Sequence, residues 1–190
     1  MDLQLRDRVI VITGGTSGIG AATALALARE GACPVMMGLD ALPLQLSGDL
    51  QQAGVRFSHH TVDLRDHERV ATIVDSIVTE YGRIDGLVNN AGVNDRVGLS
   101  AGPAAFSASL ERNLVHYYTM AHFIVPHLIK TQGAIVNVAS KTALTGQGDT
   151  SGYCAAKGGQ LALTREWAIS LAAHNIRVNA VLPAEVMTTM

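Results

Sequence analysis

The chain has 190 residues, 48% of them apolar and 16% charged, with a formal net charge of −2 at pH 7. This length suits one domain, 1–190, with a sizeable core. A near-neutral balance with no basic block and no acidic tail excludes nucleic acid and an anionic membrane surface as main partners, leaving a small molecule.

The N-terminal run Met1-Asp2-Leu3-Gln4-Leu5-Arg6-Asp7-Arg8 is too charged for a signal peptide, and no apolar stretch approaches the roughly 20 residues of a membrane span. Cys33 and Cys154 are too few for a disulfide framework and lack metal-site spacing, so a reducing, cytoplasmic setting is expected. Short apolar runs then alternate with longer helical patterns. Strands are predicted over 8–13, 35–38, 56–61, 84–89, 134–139 and 176–182, and helices over 17–30, 41–53, 66–81, 103–130 and 152–174. This alternation predicts a parallel sheet flanked by helices in a single domain. Pro34, which lacks a backbone donor, belongs at the first residue of its strand. Pro126 should bend the long fourth helix or mark its last turn.

Between the first strand and first helix the chain reads Thr13-Gly14-Gly15-Thr16-Ser17-Gly18-Ile19-Gly20. Gly14 permits a tight turn, Gly18 lets backbone approach a ligand, and Gly20 lets the helix pack closely. Free donors at the helix start, with its dipole, favour a pyrophosphate. The glycine spacing departs from the commoner dinucleotide fingerprint, and such a loop is sometimes only a turn. Its place after a strand and before a helix favours nucleotide binding.

Ser140 closes an apolar run, and thirteen residues later Tyr153 and Lys157 stand one helical turn apart. Residues i and i+4 share a helix face, so the Lys157 ammonium can lie by the Tyr153 phenol and favour its ionised form. An ordinary phenol, with a pKa of about 10, is a poor base at neutral pH, and a fixed cation makes it useful. The same pair could lie idle on a solvated face, and Ser140 could cap a turn. The seven histidines invite a metal reading. His59 and His60 are adjacent and point apart, and His116 and His127 stand three turns apart on one helix face, so no compact metal site is expected. They read as solvated or core-edge residues.

Together, Thr13-Gly14-x-x-x-Gly18-x-Gly20, Asp63, Asn89-Asn90-Ala91-Gly92, Asn113, Ser140 and Tyr153-x-x-x-Lys157 occur in an order that resembles the classical short-chain dehydrogenase/reductase (SDR) family over the whole chain. The resemblance implies a doubly wound Rossmann sheet of strand order 3-2-1-4-5-6 with a nicotinamide cofactor at the carboxyl ends of the strands. It implies that Tyr153 is the acid/base, that Ser140 orients the reacting oxygen, and that Lys157 binds ribose and tunes Tyr153. Asn113 would hold a water that passes the proton on, although by its residue type alone it reads as a satisfied polar group in a helix. The cofactor would meet Gly14, Thr16, Ser17, Gly18, Ile19, Gly20, Asp63, Leu64, Asn90, Ala91, Gly92, Pro183 and Val186, besides Tyr153 and Lys157.

The stretch from Val178 to Thr188 is similar to sugar-oxidising members, notably the L-fucose dehydrogenase type, which implies oxidation of an aldose at its anomeric carbon to a lactone. Most relatives carry Gly where this chain has Ala184. Glu185 could then accept a bond from a sugar hydroxyl, with Ser140 and Tyr153 completing the substrate contacts; an exposed loop acid would look the same. The position that chooses the cofactor falls on Gly38, followed by Leu39 and Asp40. With no basic residue there or in the glycine loop, NAD is expected over NADP, Asp40 serving as a ribose contact or simply as a helix cap. Family members usually continue into a lid, a helix and a seventh strand beyond the point where this sequence ends, so the expectation is a sheet lacking that strand and a more open site. The fourth and fifth helices resemble those that pair subunits in this family, implying a homodimer or homotetramer. Two readings stand: a nicotinamide-dependent oxidoreductase acting on an alcohol or sugar, or a non-catalytic nucleotide-binding module or inactive fragment.

Overall fold

The structure, a computed structural model, describes residues 2–188. Six parallel strands, β1 (Val9–Thr13), β2 (Cys33–Gly38), β3 (Ser58–Thr61), β4 (Gly86–Asn89), β5 (Ala134–Val138) and β6 (Arg177–Val181), form one sheet in the order β3-β2-β1-β4-β5-β6. This is the expected Rossmann arrangement. β1 and β2 are buried throughout, as their uninterrupted apolar sequences demand, whereas at the two edges β6 alternates apolar with polar residues and β3 is polar throughout. Period-two alternation in β1 splits the core. Val9 and Val11 face one cluster with Val74, Ile77, Met120 and Ile124, and Ile10 and Ile12 face the other with Ala24, Ala28, Leu46 and Leu50.

The helices are α1 (Gly18–Arg29), α2 (Leu44–Gln52), α3 (His67–Tyr81), α4 (Gly102–Leu110), α5 (His116–Thr131) and α6 (Ser151–Ser170). Among the described residues none is long and apolar enough to cross a membrane. Three expectations need correction, and of the two alternatives for Pro126 one falls away. The predicted 103–130 helix is interrupted by a π turn over Glu111–Val115 that separates α4 from α5. The last predicted helix ends at Ser170 and continues only as a 3₁₀ turn, Ala172–His174. Pro126 lies inside α5 and not in its last turn. Pro34 is the second residue of β2, since Cys33 N donates to the Arg8 carbonyl at 2.8 Å and starts the strand one residue early. It is tolerated because alternate donors point to opposite sides, and β3 begins only opposite Val35.

Candidate active site

The sheet order reverses between β1 and β4, and loops leaving the carboxyl ends of the strands open a crevice there. A cavity of about 450 Å³ fills it. Its walls come from the β1 loop (Gly14, Ser17, Gly18, Ile19), the β2 end (Gly38, Leu39, Asp40), the β3 end (Val62, Asp63, Leu64, Arg65), the β4 end (Asn90 to Val93), the β5 end (Val138, Ala139, Ser140), Tyr153 and Lys157 from α6, and Pro183, Ala184, Val186 and Thr188 after β6.

Close packing shapes the β1 loop. Gly14 has φ +62°, and a Cβ there would sit 3.0 Å from Ala91 Cα. A Cβ on Gly20 would strike the Gly14 carbonyl oxygen and lie 2.7 Å from Asn90 Nδ2. Thr13, the strand end that opens the glycine motif, ties the loops together. Its Oγ1 accepts from Asn90 N at 2.9 Å and Ala91 N at 3.0 Å, and Asn90 Nδ2 donates back to the Thr13 and Gly14 carbonyls at 3.0 and 3.1 Å. The start of α1 therefore faces the cavity with unspent backbone donors. Thr16 is buried behind this loop and does not line the cavity, and Gly20 likewise shapes the wall from behind.

Asp63 lies on the wall with its carboxylate forked to the Arg65 guanidinium. The Arg65 bonds hold it well below the usual range, at about 2. Arg65 is thereby taken up internally. Asp40 is exposed at the rim, its carbonyl bonded to His59 Nε2 at 3.0 Å. It does not cap a helix, because α2 starts at Leu44 after Pro43.

On the β5 side, Ser140 Oγ accepts from Thr142 N at 3.2 Å, so the turn-capping bond forms while the hydroxyl also faces the cavity and Tyr153. Burial pushes the Tyr153 phenol up, and the bond with Ser140 opposes this in part. Burial outweighs any pull of Lys157 on the phenol, whose net shift is upward. The Lys157 ammonium donates to Val138 O at 2.8 Å and Gln160 Oε1 at 3.2 Å, and lies 5.5 Å from the centre of the Tyr153 ring. Burial brings Lys157 itself down to about 8.

Asn113 sits in the π turn, fully buried. Its Oδ1 accepts from Val93 N at 2.7 Å and its Nδ2 donates to Ser109 O at 3.2 Å, which shapes the loop after Gly92. The Asn113 carbonyl accepts from Gln160 Nε2 at 2.7 Å. Two more residues stand otherwise than expected. Glu185 is turned outward, its side chain 91% exposed and paired with Lys141, while its neighbours Ala184 and Val186 line the cavity. His116, read as a solvated or core-edge residue, is buried in the cavity wall with neither ring nitrogen bonded. Burial and the Lys157 charge bring it to about 4, so it is neutral at pH 7. Gln160 was also missed, since three residues after a lysine on a helix it carries no motif of its own.

A family model for short chain dehydrogenase matches residues 8–190. The chain is 35% identical to the 3-oxoacyl-[acyl-carrier-protein] reductase FabG of Thermotoga maritima over 99% of its own length and 78% of the relative's. It is 33% identical to the L-fucose dehydrogenase of Mus musculus over 96% of its length and 67% of that protein's. Among solved structures, Cj0485 dehydrogenase superposes with a TM-score of 0.97 at 41% identity, covering 100% of this chain and 73% of that one. Carveol dehydrogenase from Mycobacterium avium, in complex with NAD, gives 0.90 at 32% identity, covering 98% and 73%. With the sheet order, the glycine loop and the Ser140, Tyr153 and Lys157 constellation already in place, these matches show that the chain belongs to the short chain dehydrogenase family of NAD(P)-dependent oxidoreductases.

Proposed function

We propose that this protein is an NAD-dependent dehydrogenase that oxidises a hydroxyl of a sugar, with L-fucose as the leading candidate. The reading is carried by one observation: Ser140, Tyr153 and Lys157 share a cavity wall with the glycine loop and the Asn90 to Gly92 loop. The residues fit a dinucleotide. The Gly14 and Gly20 cradle has no room for a Cβ, and the α1 N-terminus offers backbone donors suited to a pyrophosphate. Gly14, Ser17, Gly18, Ile19, Leu64 and the Asn90 to Gly92 backbone would hold the group, with Pro183 and Val186 closing the other side.

When bound, the dinucleotide supplies the hydride acceptor. Tyr153 Oη takes the hydroxyl proton as the C–H hydride leaves, and Ser140 Oγ donates to the same substrate oxygen and orients it. Lys157 supplies positive charge beside Tyr153 and a donor for ribose hydroxyls. With Tyr153 raised by burial, this charge has most value once the cavity is filled and dry. Asp40 at the rim, whose charge opposes an added 2′-phosphate, favours NAD. The L-fucose dehydrogenase likeness supports a sugar substrate. The free thiols Cys33 and Cys154 suit a cytoplasmic setting.

The test is reduction of NAD by L-fucose and a panel of sugars and alcohols, with NADP alongside. Tyr153→Phe should lower kcat by more than about 10³-fold while dinucleotide binding holds within about threefold. Retained turnover in that variant would overturn the assignment. Dinucleotide binding without turnover of any substrate would favour the non-catalytic reading.

A further inference from the structure

The π turn at Glu111–Val115 and the buried face of α6 meet at one side chain that the family's motif does not include. Gln160 is fully buried, three residues after Lys157 on α6 and thus close to it on the same face. Its Oε1 accepts from Lys157 Nζ at 3.2 Å, and its Nε2 donates to the Asn113 carbonyl at 2.7 Å. Both contacts dictate the same orientation of the amide. The flipped amide would set donor against ammonium and oxygen against carbonyl, so neither bond could form.

An ammonium has three N–H groups. One goes to Val138 O at 2.8 Å, an oxygen that also accepts from Tyr117 Oη at 3.0 Å, and one goes to Gln160. We infer that Gln160 positions Lys157, bridging its ammonium to the Asn113 carbonyl so that a single N–H is left to face the cavity. The inference rests on the proposed dehydrogenase reading for its catalytic consequence, and on the geometry alone for the bridge.

The bridge also favours the charged form of Lys157. The titratable groups around it are Tyr153 on its own helix and Tyr117 and His116 from α5, with Asp63 reaching His116. Among the described residues no carboxylate pairs with Lys157. The Gln160 carbonyl dipole is the one side-chain acceptor that favours the charged form against burial, which works in the opposite direction. Asn113, to which the family pattern assigns a proton-passing water, accepts from Gln160 Nε2 through its carbonyl.

The experiment uses the whole chain labelled at lysine Cε with ¹³C. Only Lys130, Lys141 and Lys157 give signals, and Lys157→Met identifies the third. In Gln160→Met, which keeps the side-chain volume and removes both bonds, the Lys157 signal should titrate about one pH unit lower, tenfold in its proton equilibrium. In Gln160→Glu, which keeps an acceptor for the ammonium, it should titrate at or above the wild-type position. The acid limb of the kcat profile should move to higher pH in Gln160→Met and return in Gln160→Glu. A Lys157 titration unchanged by Gln160→Met overturns the proposal. If the methionine variant does not fold, a lowered titration in Gln160→Glu overturns it equally. Absence of turnover in the wild type would count against the dehydrogenase reading, while the NMR titration still decides the bridge.

Discussion

Burial holds Lys157 at a thermodynamic loss, and its removal should stabilise the protein at neutral pH. Burial carries its pKa from 10.5 to about 8. At about 1.4 kcal/mol per unit, the charged form is disfavoured by about 3 kcal/mol in the native state relative to the unfolded chain. Lys157→Met deletes this loss and fills similar space with an apolar chain. The Val138 carbonyl keeps its bond from Tyr117 Oη, whereas Gln160 Oε1 loses its donor, which costs about 2 kcal/mol. The balance favours the variant by about 1 kcal/mol at pH 7, or a Tm higher by about 2–4 °C.

The pH dependence carries the sharper signature. Below pH about 8 the ammonium is charged in both states and the full loss applies. Between about 8 and 10.5 the native state releases its proton first, so wild-type stability recovers as pH rises. Near pH 10.5 the variant should be the less stable protein, by about 2 kcal/mol, because only the orphaned amide oxygen remains. Unfolding followed by fluorescence of Trp167, the single tryptophan, packed at the edge of the core, reads this at fixed protein concentration. A variant less stable than wild type at pH 7, or a gap that is the same at pH 7 and pH 10.5, would refute the reasoning.

Two glycines give opposite expectations. Gly20→Ala drives a Cβ into the Gly14 carbonyl and should cost about 1–3 kcal/mol with at least tenfold weaker NADH binding by fluorescence titration, whereas Gly48→Ala, inside α2 with nothing within 4 Å, should gain about 0.5–1 kcal/mol in urea unfolding. We expect a homodimer or homotetramer formed across α5 and α6, which expose Tyr118 and Ile169. Ile169→Glu should shift the light-scattering mass toward the monomer if this face is the interface.

The alternation of strands and helices was legible because its causes are local: apolar runs too short for helices, glycines at turns, and 3.6-residue periodicity between them, whereas the strand order came from the family resemblance. The glycine loop was legible from its place between a strand and a helix; Gly20 meets the nearby Gly14 carbonyl, whereas Gly14 is packed against Ala91 and Asn90 of the β4 loop. The π turn was not, because 103–130 reads as uninterrupted helix. What sustains the turn is Asn113 reaching Val93 and the Asn113 carbonyl reaching Gln160, partners 20 and 47 residues away.

The sequence by itself therefore determined the alternation of strands and helices and, through the family its motifs resemble, the strand order and most of the residues gathered at the carboxyl ends of the strands. Only the tertiary structure decided how those residues stand. It turned Glu185 outward to Lys141, buried His116 without a partner, and directed the Lys157 ammonium to Val138 and Gln160. The physical reason is that desolvation and hydrogen-bond satisfaction depend on groups brought together from distant parts of the chain, and those groups set the charge state and aim of a side chain that spacing can only place.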